Sequence, residues 1–257
     1  MRIGIVGLGF VGRAVQHYFL REHITPVVYD TGKHIGSLQE VSEADIIFLC
    51  LPTPFKNPEG YDDSALWGTM KYIEGKKIIV IKSTVLPGTT DEMQNTYPQH
   101  TILFNPEFLR AKTALKDFLH PQRQIIGYTK KSRPIAKRVL ALLPKAPRQM
   151  VMRATEAEMV KYFCNAFLAL RVVFANQMYD LCEALGINYE RVKNAAGYDP
   201  RIGHSHFDIF HDGYRGYGGS CLPKDVKTLA QFAQKKGVKV ELLKITDSIN
   251  EKLIKKS

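Results

Sequence analysis

The chain has 257 residues, 45% of them hydrophobic and 24% charged, with a formal net charge of +11 at neutral pH. That length buries a sizeable core in one large or two modest domains; no apolar run reaches membrane-spanning length, and a strand-like run at the N-terminus speaks against a signal peptide and for a cytoplasmic protein. The four cysteines (Cys50, Cys164, Cys182, Cys221) have neither metal-ligand nor disulfide spacing, and the basic residues form no stripe interleaved with aromatics. This argues against a metal site and against nucleic acid as a partner, and leaves a small anionic ligand to account for the charge.

Residues 3–6 (Ile-Gly-Ile-Val) read as a buried strand and 10–20 as the helix after it, with Gly7-Leu8-Gly9-Phe10-Val11-Gly12 at the junction. A second strand over 26–29 ends in Asp30, eighteen residues beyond Gly12. Strand, glycine turn, helix and a distal acid at this spacing form a dinucleotide-binding pattern. Gly7 makes the turn, Gly9 lets the backbone approach a diphosphate, and Gly12 admits the helix to the sheet. The diphosphate then rests on the helix N-terminus at Phe10 and Val11. Asp30 takes ribose hydroxyls and favours NAD over NADP, a preference that the nearby Lys33 moderates.

Further strands are expected over 45–51, 77–81, 101–104 and 124–128, alternating with helical stretches and punctuated by Pro and Gly. Residues 1–150 therefore read as a Rossmann-like, doubly wound parallel sheet. Ligands bind beyond the carboxyl ends of such strands, where Thr53, Thr84 and Glu107 fall.

The pattern changes at Thr155, where Thr155-Glu156-Ala157-Glu158 spells a capping box. Helical periodicity then runs to Leu185, with Gly186 as the stop, giving a helix of roughly 45 Å. Val160, Phe163, Phe167, Leu168, Val172, Val173 and Leu181 place apolar residues on most of its circumference. A helix apolar all round is a buried one. It is expected to be the spine of the molecule and to pack against its twin in a homodimer. Lys161 and Asn165, four apart, share one of its faces and can present two donors to one oxygen.

Residues 197–220 are glycine-rich and aromatic, and 222–236 and 240–254 read as amphipathic helices. Between them Gly216-Tyr217-Gly218-Gly219-Ser220-Cys221-Leu222-Pro223-Lys224-Asp225 sets a cysteine on a glycine loop, with a cation and a carboxylate within four positions. That is the setting of a reactive thiol rather than of a small buried hydrophobe.

These stretches, with Pro52-Thr53-Pro54, Lys82-Ser83-Thr84, Asn105-Pro106-Glu107-Phe108-Leu109-Arg110 and Asp199-Pro200-Arg201-Ile202-Gly203, run almost the whole length of the chain. Together they resemble the nucleotide-sugar dehydrogenases, most closely the UDP-glucose 6-dehydrogenases. The resemblance implies an α/β fold: an NAD-binding Rossmann-like domain over 1–150, then a long central helix and a small α-helical dimerisation domain over 151–257. It implies a four-electron oxidation of a sugar CH₂OH to a carboxylate with two NAD⁺. Hydride leaves C6, Cys221 captures the aldehyde as a thiohemiacetal, a second hydride transfer gives a thioester, and water hydrolyses it. Lys161 and Asn165 stabilise oxyanions at C6. Glu107 and Asp225 handle protons and water, with Thr84 placing the water. Thr53, Thr84 and Lys224 join the cofactor site. Phe108, Leu109, Tyr214, Tyr217 and Gly218, with Glu107, Lys161 and Asn165, meet the substrate, and Arg201 reaches it across the dimer.

Each residue also has a purely structural reading: Glu107 as a helix cap, Asp225 as a first-turn acid, Thr84 as a turn residue, Arg201 as a surface ion pair. Two departures stand out. Ala111-Lys112 replaces an acid usual after the Asn-Pro-Glu-Phe-Leu-Arg stretch, and the sequence stops at Ser257, where the family's C-terminal nucleotide-binding domain is expected. Three readings stay open on the residues alone. One is an active dehydrogenase of UDP-glucose or of another nucleotide sugar, GDP-mannose being the nearest rival. The second is a β-hydroxyacid dehydrogenase, which needs no cysteine. The third is a non-catalytic NAD-binding dimer module.

Overall fold

A computed structural model describes residues 1–211 and 213–255; Asp212, Lys256 and Ser257, within the expected second domain, lie outside the described residues. The chain forms two compact units, Met1–Lys161 and Tyr162–Ser257. In chain order the first holds β1 (Ile3–Val6), α1 (Phe10–Arg21), β2 (Val27–Tyr29), α2 (Leu38–Val41), β3 (Ile46–Leu49), β4 (Phe55–Lys56), β5 (Gly60–Tyr61), α3 (Ser64–Met70) and β6 (Ile78–Ile81). It continues with α4 (Thr89–Thr96), β7 (Thr101–Phe104), α5 (Ala114–Leu119), β8 (Arg123–Tyr128), α6 (Ala136–Leu140) and β9 (Arg148–Arg153). The long α7 (Ala154–Ala184) starts in the first unit and runs on in the second, followed by α8 (Tyr189–Gly197), β10 (Phe210–His211), β11 (Tyr214–Arg215), α9 (Leu222–Lys235) and α10 (Glu241–Lys255).

One seven-stranded sheet, in the order β2-β1-β3-β6-β7-β8-β9, organises the first unit. Within it β2, β1, β3, β6 and β7 are mutually parallel, as βαβ crossovers require. Their alternating side chains feed two cores. Ile47, Leu49, Ile79, Ile81, Ile102 and Phe104 pack on one face, and Ile3, Ile5, Ile46, Phe48, Val80 and Leu103 on the other. Strands buried on both faces explain the unbroken apolar runs in the sequence. The chain steps from β1 outward to β2 and then back across β1 to β3, which makes the β1/β3 boundary the switch point where a ligand settles in such sheets.

Four expectations need correction. The sheet is not parallel throughout: β8 pairs antiparallel to β7, with Leu103 opposite Tyr128, and β9 follows β8 in parallel. An antiparallel neighbour needs no crossover, so the short α5 between them suffices. β9 itself was invisible because its Arg and Gln residues break the apolar run and four of its six residues are exposed.

The capping box at 155–158 does not form either. α7 begins at Ala154, Glu156 accepts the Arg153 N–H at 2.9 Å, and Thr155 donates to Asp91 at 3.0 Å. Glu158 instead caps α4: its carboxylate takes the Gly88 N–H at 2.6 Å, the Thr90 N–H at 2.9 Å and the Thr90 hydroxyl at 2.5 Å. Nor is α7 buried all round, since Phe163, Phe167, Phe174 and Leu181 are exposed along it. Lastly, the second unit is not purely helical, because β10 and β11 form a hairpin before Cys221. Its cores gather Ala169, Val172, Val173, Tyr217 and Val226 in one cluster, and Ala175, Cys182, Tyr189 and Ile209 in another. Among the described residues no helix is long and apolar enough to cross a membrane.

Candidate active site

The glycine turn after β1 is built by contact as much as by conformation. Gly7 has φ +90°, and a Cβ there would lie 2.6 Å from the Cys50 carbonyl; one on Gly12 would lie 1.9 Å from the Gly7 carbonyl. Both positions are closed to a side chain. A Cβ on Gly9 would meet nothing within 4 Å, so the turn is open on that side. Gly9 is also the N-cap of α1 and provides no side-chain cap, which leaves the first-turn N–H groups near Phe10 and Val11 for an anion.

Asp30 closes the other end. One carboxylate oxygen accepts the Leu8 N–H at 2.6 Å, the other the Lys33 N–H at 2.9 Å, and the Lys33 ammonium donates to the Leu8 carbonyl. A carboxylate has about four acceptor positions, so room remains for ribose hydroxyls. A cleft of 540 Å³ opens beside Leu8, Gly9, Phe10, Arg13, His17 and Lys33. Across β3 and β6, the buried Thr53 hydroxyl donates to the Thr84 carbonyl at 2.7 Å. An uncapped helix start, an open glycine and a carboxylate with spare acceptors fit a dinucleotide.

The second cluster of this unit follows β7. Glu107 and Lys161, 54 residues apart, meet at 2.9 Å, and both are almost wholly buried. The other Glu107 oxygen accepts the Leu109 N–H at 2.7 Å. Phe108 lies between two cations, with the Arg123 guanidinium 3.9 Å and the Lys161 ammonium 5.8 Å from its ring centroid. Lys82 is buried as well. Burial pushes its ammonium down to about 8, with a smaller push from Lys161, while Cys50 and Glu107 pull the other way. Burial also drives the Cys50 thiol up to about 12, which leaves it inert as a nucleophile at neutral pH.

In the second unit Cys221 is the N-cap of α9 and half-buried, its sulfur 3.6 Å from the Ser220 hydroxyl. Asp225 stands one turn on, its N–H donating to the Cys221 carbonyl at 2.9 Å. The Asp225 carboxylate is 1% exposed and takes two donors, Asn165 and Lys224, each at 2.5 Å. The hydroxyl end of Tyr214 abuts Gly218, where a Cβ would come within 2.2 Å of it. Tyr217 is buried in the core, its backbone clasped by Asn250 at 2.7 and 2.9 Å and its hydroxyl 3.4 Å from Asp247. Arg201 forms a forked pair with Asp199 at 2.6 and 3.0 Å on the exposed surface.

Thus the cofactor residues Gly7, Gly9, Gly12, Asp30 and Lys33 meet around one turn, Thr53 meets Thr84, Glu107 meets Lys161, and Asn165, Lys224 and Asp225 meet at the start of α9. Among the described residues, Arg201 joins none of these clusters through a hydrogen bond. Sequence reasoning missed the roles of Lys82, Asn105 and Glu158. The signal for Lys82 was available: a lysine closing a run of four apolar strand residues.

Residues 35–142 match the NAD binding domain of the UDP-glucose/GDP-mannose dehydrogenase family, and residues 155–252 match that family's central domain. The chain is 35% identical over 227 residues to a UDP-glucose 6-dehydrogenase of Rhizobium meliloti, covering 82% of this chain and 51% of that protein. It is 33% identical over 215 residues to one of Rickettsia prowazekii, covering 80% and 49%. A solved UDP-glucose dehydrogenase from Pyrobaculum islandicum superposes with a TM-score of 0.85 at 28% identity, over 97% of this chain and 68% of that one. The chain spans about half the length of the curated relatives it matches.

Proposed function

The chain belongs to the UDP-glucose/GDP-mannose dehydrogenase family, and from that premise we propose that it oxidises the C6 alcohol of a nucleotide sugar, UDP-glucose first, to the carboxylate. The observation that carries the reading is the start of α9, where half-buried Cys221 sits one turn before a buried carboxylate that binds Asn165 and Lys224. A reactive thiol needs access, and its neighbours need fixed positions; this arrangement supplies both.

NAD, when bound at Gly7, Gly9, Gly12 and Asp30, supplies the oxidising power by accepting hydride. The chain's own groups do the rest. The Cys221 thiolate adds to the C6 aldehyde carbon, forming a C–S bond and pushing the carbonyl electrons onto oxygen. Lys161 and Asn165, one turn apart on α7, donate to that oxygen. At the thioester stage a water placed by Thr84 attacks the acyl carbon, the C–S bond breaks, and the thiolate leaves with its electron pair. Glu107 and Asp225 are the proton carriers for these steps. Lys224 serves the cofactor side, and Phe108, Leu109, Tyr214, Tyr217 and Gly218 the sugar side.

Phe163, Phe167, Phe174 and Leu181 on α7, with Leu185 just past its end, recur at intervals of four and seven, a seam of the kind that pairs helices, and they support a homodimer. Arg201 would act across it. A monomer by sedimentation at micromolar concentration would remove both assignments. The free-thiol chemistry suits the cytoplasm.

The test is NADH formation at 340 nm with a panel of UDP- and GDP-sugars. Two NADH per UDP-glucose, abolished in Cys221→Ser, is the expected outcome. Two NADH per GDP-mannose instead would move the substrate to the rival. NAD⁺ binding without turnover on any sugar would leave a binding module, and supplying the family's nucleotide-binding domain in trans would then decide whether the chain is a partial enzyme.

A further inference from the structure

Lys82 is a charged residue that the proposed chemistry does not use, and it is 3% exposed at the end of β6. Burying a lone ammonium is costly unless partners offset it. Its partners all lead to one residue. The ammonium donates to the Asn105 side-chain oxygen at 2.5 Å and lies 3.5 Å from the Asn105 carbonyl. The Asn105 amide nitrogen in turn donates to the Ile125 carbonyl at 2.8 Å and to Gln124 at 3.2 Å, both on β8. The Asn105 N–H donates to the Ile81 carbonyl at 2.8 Å. Asn105 is therefore tied to β6 and to β8 at the point where the chain leaves β7.

Pro106, with its fixed φ and no N–H, carries the chain directly from this anchor to Glu107. Beyond it the only hydrogen bonds described for the Glu107 side chain are those to Lys161 and to the Leu109 N–H. A methionine at position 82 would fill the same space without burying a charge. What the ammonium adds is the clamp on Asn105 and a second cation in the Glu107–Lys161 cluster. The other titratable group facing it is Cys50, with Phe118 supplying a ring 5.3 Å away.

We propose that Lys82 is a positioning residue for Glu107: by clamping Asn105 it fixes the segment that presents the Glu107 carboxylate to Lys161. The inference rests on the reading of Glu107 as a proton carrier, but its test needs no turnover. Hydrogen exchange of the Leu109 amide, which Glu107 holds, reports the position of the carboxylate directly. In Lys82→Met we expect Leu109 exchange to accelerate about tenfold or more, with Val80 in the sheet interior unchanged, and Lys82→Arg to restore most of the protection. Equal acceleration at both amides, or none at Leu109, would overturn the proposal.

Should Lys82→Met fail to fold, Asn105→Ser, which removes the side-chain oxygen that Lys82 clamps, gives a second answer: Leu109 exchange should accelerate with Val80 unchanged, and an unchanged Leu109 rate overturns the proposal. An absence of NADH formation would count against the enzymatic reading and leave this result standing. In a chain that does turn over, the expected split for Lys82→Met is a lower kcat with an unchanged KM for NAD⁺, and an unchanged kcat would sink the role.

Discussion

Glu107 and Asp225 are both buried carboxylates bound by a lysine, and they are held in opposite ways. The partner of Glu107 is Lys161, 54 residues along the chain and itself 5% exposed. The lysine of Asp225 is its neighbour in sequence, Lys224, which keeps 17% of its side chain in solvent, and the tertiary restraint comes from neutral Asn165. The first carboxylate is placed by a charge taken wholly out of water, the second by a local cation and a distant amide. Desolvated pairs are costly to break because the survivor is left charged and dry, whereas water can reach the side of a cation that keeps part of its side chain in solvent.

The largest effect should follow from breaking the dry pair. Lys161→Met leaves Glu107 with one N–H donor, and we expect a loss of about 3–5 kcal/mol in urea unfolding. A loss near that of Lys224→Met would mean that water reaches Glu107 and the contrast is false.

Next comes the cation beside the dry pair. Lys82 is held down to about 8 by burial, against an ordinary 10.5. Below pH 8 both folded and unfolded chains carry its proton. Between 8 and 10.5 the folded chain gives it up first, so the unfolded state binds more protons and stability rises with pH. This group alone should add roughly 3 kcal/mol across that window. The check is the difference between the unfolding free energies of the unaltered chain and Lys82→Met, measured from pH 7.5 to 10.5; a constant difference would contradict the burial of the ammonium.

Asp225→Asn should cost less, about 1–3 kcal/mol, because an amide presents one acceptor oxygen where two donors converge. Lys224→Met should cost about 1 kcal/mol or less. If Lys224→Met proves the worse of the two, the local cation and not Asn165 holds the carboxylate. Smallest of all, Arg201→Ala should leave the denaturation midpoint where it is, since the Arg201–Asp199 pair stands in solvent. An effect there in the dimer alone would instead sharpen the case for a role across subunits.

Much of this molecule was legible in the sequence, and the reason is local. Six of the seven sheet strands lie within a few residues of their apolar runs, because strands packed inside the sheet must be largely apolar. The glycine turn could be read because Gly7 and Gly12 are demanded by the backbone of their own turn and of the strand beside it. Gly186 with its φ of +66° ends the long helix region where expected. The residues that form the three clusters were named from motifs, and most of those named do meet another member of the set.

What the sequence left open is what depends on distant partners. The reversal of β8, the transfer of Glu158 from its own helix to the N-terminus of α4, and the exposed seam of α7 each follow from packing between segments tens of residues apart. Local pattern carries no information about which of several possible partners wins. The same holds for Lys82: as a letter it resembles the many solvated lysines of a chain with net charge +11. Only the meeting of β3, β6, β7 and β8 removes it from water and makes Asn105 its partner, which turns a surface-like residue into the anchor of the Glu107 segment.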